Sequence, residues 1–271
     1  MHLDKLEEML SKLGSNYEPS EENIKECMSA IEDSIRSAFK RRKPSISPSQ
    51  TGLTERQIWF ITNGHTDVYN PDQFKPETRL KMLVSSVAEH LIVMLMREGG
   101  VDVKNVQKRL KVKIEEAGME LTGSNDYEID GVVDCKVTNS DSFKTKFRSA
   151  KTLAENDHFG YLGQAYLYAK GSGKYFQGWD VFDANTFKFK HVSAKNIQKE
   201  LKEAYDEFVS KLHVASLMDH WDDVEPCYEL EHTNSGTRLA WQCSRCPWRD
   251  TCWPNIEEER RGTVVRHWLK E

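Results

Sequence analysis

Residues 123–136 decide the fold, and they read Gly123-Ser-Asn-Asp-Tyr-Glu-Ile-Asp-Gly-Val-Val-Asp-Cys-Lys136. The Asp130-Gly131 pair is a hairpin turn signal between two segments of strand character. A two-residue loop pairs Asp126 with Cys135. A three-residue loop with the glycine in the left-handed bulge position instead pairs Asp126 with Asp134.

The second of these registers gathers three charged side chains on one face of the hairpin. Residues two apart in a strand share a face, so Lys136 lies beside Asp134, with Asp126 across from them. Two carboxylates directly opposite each other are destabilising unless a cation lies between them. Hard divalent ions take carboxylate oxygens, and a neighbouring lysine can contact a phosphate or orient a water. The alternative is an ordinary hairpin whose charges face water.

The flanking sequence predicts an α/β protein in which a helix precedes three strands, a further helix and more strands. Pro76 suits the first position of a long helix, and Gly99-Gly100 suits its end. Residues 1–43 have helical spacing, and a Ser/Pro-rich stretch follows them. The remaining predicted elements are strands over 110–114, 119–129 and 132–137, helices over 142–151, 159–170 and 194–218, and a hairpin over 175–192.

The order of motifs along these elements resembles the PD-(D/E)XK nuclease superfamily, and more narrowly its RecB-like branch. The motifs are G-x-x-D, D-x-K on the next strand, and Gln164 and Tyr168 four apart on a helix. The resemblance covers about residues 45–192 and implies a restriction-endonuclease-like core. It divides the chain into an N-terminal helical extension (1–43), a nuclease core (44–218) and a C-terminal cysteine-cluster subdomain (219–271).

The resemblance also implies roles for single residues. Asp126 and Asp134 match the metal-binding carboxylates, and the backbone carbonyl of Cys135 is a further ligand in such sites. Lys136 matches the lysine that activates or positions the attacking water.

Two further pairs of residues complete the catalytic set that the resemblance implies. Gln164 and Tyr168 match side chains that support the site and the DNA, although a tyrosine-rich packing face is the alternative. Upstream, Glu89 and His90 stand where relatives carry a Glu or a His. Adjacent helix residues point about 100° apart, so we expect only one of them to face the site.

Basic residues offer candidate DNA contacts. Lys144, Arg148 and Lys151 recur at helical spacing after the D-x-K strand, where they could follow a phosphate backbone or form a solvated helix face. Arg56 belongs to a segment that resembles the opening segment of these nucleases. Many relatives carry a cysteine where Thr54 stands here.

The C-terminal region contains the pattern C-x2-C-P-x4-C, formed by Cys243, Cys246 and Cys252. It is similar to the cysteine triplet of iron–sulfur RecB-like exonucleases, including those of CRISPR adaptation. A turn signal at residues 234–236 places Cys227 opposite Cys243, which makes Cys227 the first candidate for a fourth ligand. Cys27 is the second candidate and His232 the third. Four thiolates suit either a [4Fe–4S] cluster or a structural Zn²⁺.

Composition limits the protein's class. The 271 residues carry 38 Lys and Arg against 43 Asp and Glu, a net charge of −5, so DNA binding requires a local basic surface. The mean hydropathy is −0.68. We find no apolar run of transmembrane length and no secretory signal, and we therefore expect a cytoplasmic protein, in the host cytoplasm if it is phage-encoded.

These observations predict a DNA exonuclease that depends on Mg²⁺ or Mn²⁺ and acts on single strands or DNA ends. The alternatives are a structure-specific or nicking endonuclease of the same fold and a catalytically weak DNA-binding module. DNA is the expected partner, with no membrane. A homo-oligomer or recombination and repair proteins remain open as further partners.

Overall fold

The computed structural model describes residues 2–40, 45–65, 76–224, 228–234, 236–244, 246–261 and 264–270. It shows a mixed α/β protein with helices and several sheets. Within the described ranges, no helix is both long and apolar enough to cross a membrane. The chain forms two compact units. The first comprises the described residues of 2–40, 47–52 and 80–209, and the second those of 45–46, 53–65, 76–79 and 210–270.

The first unit is built on a four-stranded sheet with strand order β3-β4-β5-β6. Strands β4 and β5 are parallel, and the outer pairs are antiparallel. A parallel pair needs a long crossover, and helices provide it here. The strands are β3 (Tyr127–Glu128), β4 (Val132–Thr138), β5 (Phe176–Asp183) and β6 (Phe189–Ser193).

A separate antiparallel hairpin, β1 (Arg109–Ile114) and β2 (Met119–Ser124), precedes this sheet. Strand β1 alternates exposed and buried residues, as its sequence predicts. The predicted strand over 119–129 is interrupted between β2 and β3. Asn125 is buried at the break, and its side-chain amide donates to Glu128 over 3.2 Å.

Helices of the first unit follow the predicted pattern in most places. Helix α2 (Glu21–Ala38) begins after Ser20, whose hydroxyl caps it by accepting from the Asn23 backbone N–H. The other helices with residues in this unit are α1 (His2–Ser11), α4 (Pro76–Glu98), α5 (Ser140–Lys144), α6 (Ala150–Glu155), α7 (Tyr161–Ser172) and α8 (Gln198–Leu217).

The single helix predicted over 142–151 is wrong, because the chain there forms three short helical pieces. A 3-10 turn at Lys146–Arg148 separates α5 from α6. Phe147 leaves helical geometry to bury its ring in the core, and Ser149 is extended and caps α6. The spacing of Lys144, Arg148 and Lys151 therefore does not place them on one helix face, although all three are exposed.

The N-terminal helices are part of the first unit rather than a separate extension. Leu6 of α1 is fully buried in a cluster with Val93, Met96 and Val133, so α1 completes this side of the core. A second cluster lies around Trp179, Phe176 and Leu153. The predicted boundary at residue 43 therefore differs from the observed division of the chain.

The second unit contains α3 (Glu55–Thr62) and the C-terminal region. Phe60 of α3 stacks on Trp248 at a centroid distance of 5.5 Å. The sequence predicts only one hairpin here, and the structure places that hairpin in a four-stranded sheet of order β7-β8-β10-β9. Its elements are β7 (Glu231–Thr233), β8 (Gly236–Arg238), α9 (Trp241–Ser244), α10 (Arg249–Cys252), β9 (Ile256–Arg261) and β10 (Val264–Leu269).

Candidate active site

The β3–β4 hairpin has the three-residue loop. Glu128 pairs with Val132 and Tyr127 with Val133, so the same register brings Asp126 opposite Asp134. Gly131 does not have the left-handed conformation expected of a bulge. Glycine is required there for another reason, because an added Cβ would lie 2.7 Å from the Tyr175 carbonyl oxygen and 2.9 Å from its ring.

Asp134 and Lys136 contact each other on one face of β4. The Lys136 Nζ lies 2.9 Å from Asp134 Oδ1 and 2.7 Å from Oδ2. The shorter contact lacks hydrogen-bond geometry, so the buried Oδ2 accepts no hydrogen bond from a described residue. A buried carboxylate oxygen in this state has lone pairs available for a cation.

Asp126 approaches the same group from the end of β2. Its Oδ2 accepts a hydrogen bond of 2.7 Å from the backbone N–H of Cys135. Burial, with Glu89 and Asp134 nearby, raises the pKa of Asp126 well above its ordinary value. Clustered carboxylates that resist ionisation are typical of a site that binds a positive ion.

Glu89, rather than His90, faces these carboxylates. Burial raises the pKa of Glu89 to about 7, with Lys136 opposing and Asp134 adding to the effect. The His90 ring is turned elsewhere on α4, where its Nε2 lies 2.8 Å from the Ser34 hydroxyl of α2. Burial lowers the pKa of His90. The helix geometry thus separates two neighbours that the sequence leaves as alternatives.

Gln164 and Tyr168 of α7 extend the group behind Lys136. Lys136 donates to the Gln164 Oε1 at 3.3 Å, and the Gln164 amide donates to the Tyr168 hydroxyl at 3.1 Å. The glycine of the G-x-x-D motif contributes to this packing. An added Cβ at Gly123 would lie 3.3 Å from the Tyr168 ring and 2.9 Å from Pro48.

Cys135 lies between the two charged residues of β4, with its side chain buried among Leu6, Val93 and Tyr127. Burial raises the pKa of its thiol well above the ordinary value. The thiol is therefore part of the core, and only the backbone of Cys135 contacts the carboxylate group.

Lys146 and Tyr161 join the site without having been predicted. Lys136 lies 4.9 Å and Lys146 4.3 Å from the centre of the Tyr161 ring. Burial lowers the pKa of Lys146 to about 8, with Asp157 opposing and Lys136 adding to the shift. The only sequence signal was the position of Tyr161, three residues before Gln164 and hence on its helix face.

Arg56, predicted as a DNA contact, is buried in the second unit with 7% of its surface exposed. Its guanidinium donates to the Val224 carbonyl oxygen and lies 5.2 Å from the Trp221 ring centre. The hydrogen bond and the ring contact occupy the group inside this unit, so the prediction of an exposed phosphate contact needs correction.

The three C-terminal cysteines line one cavity of the second unit. Thr54 and Gln57 of α3 line it as well, and the Gln57 amide lies 3.3 Å from the Cys246 Sγ. Thr54 caps α3 through its hydroxyl, which gives this residue a structural use where relatives carry cysteine. The cavity's cysteines are Cys243, Cys246 and Cys252.

The candidates for a fourth cysteine-site ligand lie in different places. Cys227 lies outside the described residues. The predicted hairpin near it is present as β7 and β8, and Tyr228 lines the cavity. Cys27 is buried in α2 of the first unit. His232 is exposed on β7, with its Nδ1 3.1 Å from the Thr237 hydroxyl.

Comparison with known proteins leaves the family open. Neither a protein-family model nor a curated protein matches this chain. Among solved structures, the chain is similar to one described as "Crystal structure of SSO0001", with 9% sequence identity and a TM-score of 0.39. The match covers 68% of this chain and 83% of the other. A likeness at this level carries no argument about function.

Proposed function

We propose that the protein is a metal-dependent DNA nuclease of the PD-(D/E)XK type, with RecB-like exonuclease action. The observation that supports this most is the group of Glu89, Asp126 and Asp134 near Lys136, whose charges lie close enough to shift one another's pKa. Three carboxylates and one lysine in one neighbourhood match the chemistry of phosphodiester hydrolysis.

The carboxylates fit a Mg²⁺ or Mn²⁺ ion. Such ions prefer oxygen ligands, and the buried Asp134 Oδ2 accepts no hydrogen bond from a described residue, although Lys136 Nζ lies 2.7 Å away. Burial is the main cause that raises the pKa of Asp126 and of Glu89, and repulsion from the neighbouring carboxylates adds to it. A cation would relieve that repulsion. When bound, the ion supplies polarisation of the phosphate and activation of water. Glu89, Asp126 and Asp134 would hold it once their oxygens draw together, because in the described chain these oxygens do not all lie within 4.8 Å of one another.

Lys136 acts in this proposal as a charged donor rather than a base. Burial alone would lower its pKa, but Asp134 and Asp126 outweigh burial and raise it above the ordinary value. A lysine that keeps its proton can orient a nucleophile or neutralise a phosphate oxygen, but it cannot accept a proton. Gln164 fixes its position through the 3.3 Å contact.

In this proposal Lys146 supplies a second positive charge for the phosphate backbone of the DNA. It lies over the Phe159 ring at 4.1 Å and the Tyr161 ring at 4.3 Å, near Lys136. Aromatic rings beside basic groups are also common where single-stranded nucleic acid binds by stacking. The exposed residues Lys144, Arg148 and Lys151 remain candidates for outer phosphate contacts.

The cysteines support the proposal of a structural centre in the second unit. Three cysteine side chains line one cavity, and with a fourth thiolate they would suit either a [4Fe–4S] cluster or a structural Zn²⁺. The resemblance of their spacing to that of iron–sulfur RecB-like exonucleases favours the cluster, with Zn²⁺ as the alternative.

The function is tested with end-labelled single- and double-stranded DNA in Mg²⁺, Mn²⁺ or EDTA. We expect stepwise shortening from an end with either metal and none in EDTA. Asp134→Asn should abolish it, whereas Asp130→Asn, an exposed carboxylate in the same hairpin, should not. Closed circular DNA separates exonuclease from endonuclease action. DNA binding without cleavage in any metal would instead identify a binding module.

A further inference from the structure

A second group of metal-ligating side chains lies in the first unit, on the other face of the four-stranded sheet. It consists of His2 at the start of α1, Asp180 on β5 and His191 on β6. Asp180 pairs with Cys135 of β4, and the next residue in each strand projects to the opposite face. The Asp180 carboxylate is therefore separated by the sheet from Asp134 and belongs to a different site.

The ligating atoms of this group are already close together. His2 Nε2 lies 2.8 Å from Asp180 Oδ2 and 3.0 Å from Oδ1. His191 Nδ1 lies 2.7 Å from Asp180 Oδ1. One ligand atom from each of the three residues can be chosen so that all three atoms lie within 4.8 Å of one another. The N-terminal helix α1 and the distant β5–β6 hairpin thus bring two imidazoles to one carboxylate.

The carboxylate at the centre is held in place by its surroundings. The Asp180 side chain is only 4% exposed, whereas those of His2 and His191 are 12% and 22% exposed. The Tyr127 hydroxyl donates to Asp180 Oδ2 at 2.5 Å. An outer donor of this kind orients the ligand carboxylate in many metal sites.

His191 is positioned by a glycine across the strand pair. An added Cβ at Gly178 would lie 2.9 Å from both Cε1 and Nε2 of the His191 ring and 2.4 Å from the Val192 carbonyl oxygen. Gly178 therefore leaves the space that the ring occupies, with Nδ1 toward Asp180.

We propose that His2, Asp180 and His191 form a binding site for a single transition-metal ion of the Zn²⁺ class, distinct from the carboxylate site and from the cysteines. Two imidazole nitrogens with one carboxylate are a ligand set that Zn²⁺ favours, whereas Mg²⁺ and Ca²⁺ prefer oxygen. The bound ion would link the first turn of α1 to the β5–β6 hairpin.

The geometry requires little movement to accept the ion. Ligand bonds of about 2.0–2.1 Å in a tetrahedron place the ligand atoms about 3.3 Å apart. The observed separations of 2.7–3.0 Å must open by a few tenths of an ångström, and the bonds to the ion take the place of the hydrogen bonds between the two imidazoles and Asp180. The partial exposure of both imidazoles leaves room for solvent as a fourth ligand.

Zinc content and zinc titration of the full chain test the site. We expect wild type to bind one more Zn²⁺ per chain than His191→Gln or His2→Gln. The exposed histidine variant His213→Gln should match wild type. Cys246→Ser should keep the additional zinc, because the cysteines lie in the second unit. Tyr127→Phe should retain the site but weaken its zinc affinity by about 10–100-fold.

Stability gives a second measurement that does not depend on nuclease activity. Zinc should raise the midpoint of thermal unfolding of wild type and of Cys246→Ser by a few degrees more than that of His2→Gln. Equal zinc content and equal midpoint shifts in wild type and both histidine variants would overturn the proposal, leaving a hydrogen-bonded cluster only. If His191→Gln fails to fold, His2→Gln decides the question alone, because His2 lies in the first turn of α1.

Discussion

Replacing Glu89 by Gln tests the carboxylate cluster through its effect on protonation. Glu89 lies on α4 with Asp126 and Asp134 nearby, and burial raises its pKa from 4.5 to about 7. Glutamine keeps the shape and removes the acid. The variant therefore separates the electrostatic contribution of Glu89 from its packing.

The sign and size of the effect follow from proton linkage. The unfolded chain releases this proton near pH 4.5, whereas the folded metal-free protein keeps it to about pH 7. Retention of the Glu89 proton therefore contributes its full stabilisation of the folded state below pH 4.5. That contribution is lost progressively as the pH rises to 7 and is absent above pH 7. The difference between the folded and unfolded pKa of Glu89 corresponds to about 3 kcal/mol. Partial solvent contact and the limited pH range reduce the part that is measurable between pH 5.5 and 8 to about 2 kcal/mol.

Urea unfolding in Mg²⁺-free buffer at several pH values measures this contribution. The free energy of unfolding of Glu89→Gln, relative to wild type, should rise by about 2 kcal/mol from pH 5.5 to pH 8. Glu120→Gln, an exposed glutamate on β2, should follow the wild-type curve. Parallel curves for wild type and Glu89→Gln would refute the reasoning, because they would mean that Glu89 titrates like an exposed acid.

Metal binding by the same variants shows which neighbour completes the site. Glu89→Gln should weaken Mn²⁺ binding and flatten its rise across pH 7, because only the ionised carboxylate binds the ion. His90→Gln should leave Mn²⁺ binding close to wild type, since its ring contacts Ser34. Greater Mn²⁺ loss in His90→Gln than in Glu89→Gln would reverse the assignment.

Three further predictions concern the lysines and the cysteines. Lys136→Ala should reduce DNA cleavage by about 100-fold or more with an unchanged circular dichroism spectrum. The control variant Lys113→Ala, at an exposed position of β1, should cleave at the wild-type rate. Wild-type cleavage by Lys136→Ala would contradict the proposed role of Lys136. The DNA affinity of the wild type should fall as the pH rises through about 8, because Lys146 loses its charge there. Lys146→Gln should bind DNA more weakly, with little dependence on pH. A pH dependence in Lys146→Gln equal to that of the wild type would place Lys146 away from the DNA. Cys252→Ser should release the metal centre of the cysteine site. It should lower the free energy of unfolding more strongly than it lowers the rate of DNA cleavage. Brown wild-type protein with about four irons per chain and a band near ~400 nm supports the cluster, and colourless protein with one zinc per chain supports the alternative. If Cys27→Ser releases the metal and Cys227→Ser does not, the fourth ligand is Cys27 and not Cys227.

The sequence by itself determined the hairpin and the identity of the central residues. Period-two alternation and a turn signal are local properties, so they are enough to predict the hairpin and to place Asp134 and Lys136 on one face, but they leave open whether Asp126 lies opposite Cys135 or Asp134. The pairing of Glu128 with Val132 shows that the second register is the one formed. The long helix beginning at Pro76 was predictable for the same local reason.

Tertiary structure decided everything that depends on contacts between distant segments. It turned Glu89 toward the carboxylates and His90 toward Ser34, because packing of α2 on α4 sets the rotation of that helix. It broke the helix predicted over 142–151, because burial of Phe147 outweighed the helical spacing of the basic residues. It also brought His2 to Asp180, 178 residues away. Local periodicity carries no information about such pairs, since they form only when the sheet and its covering helices pack together.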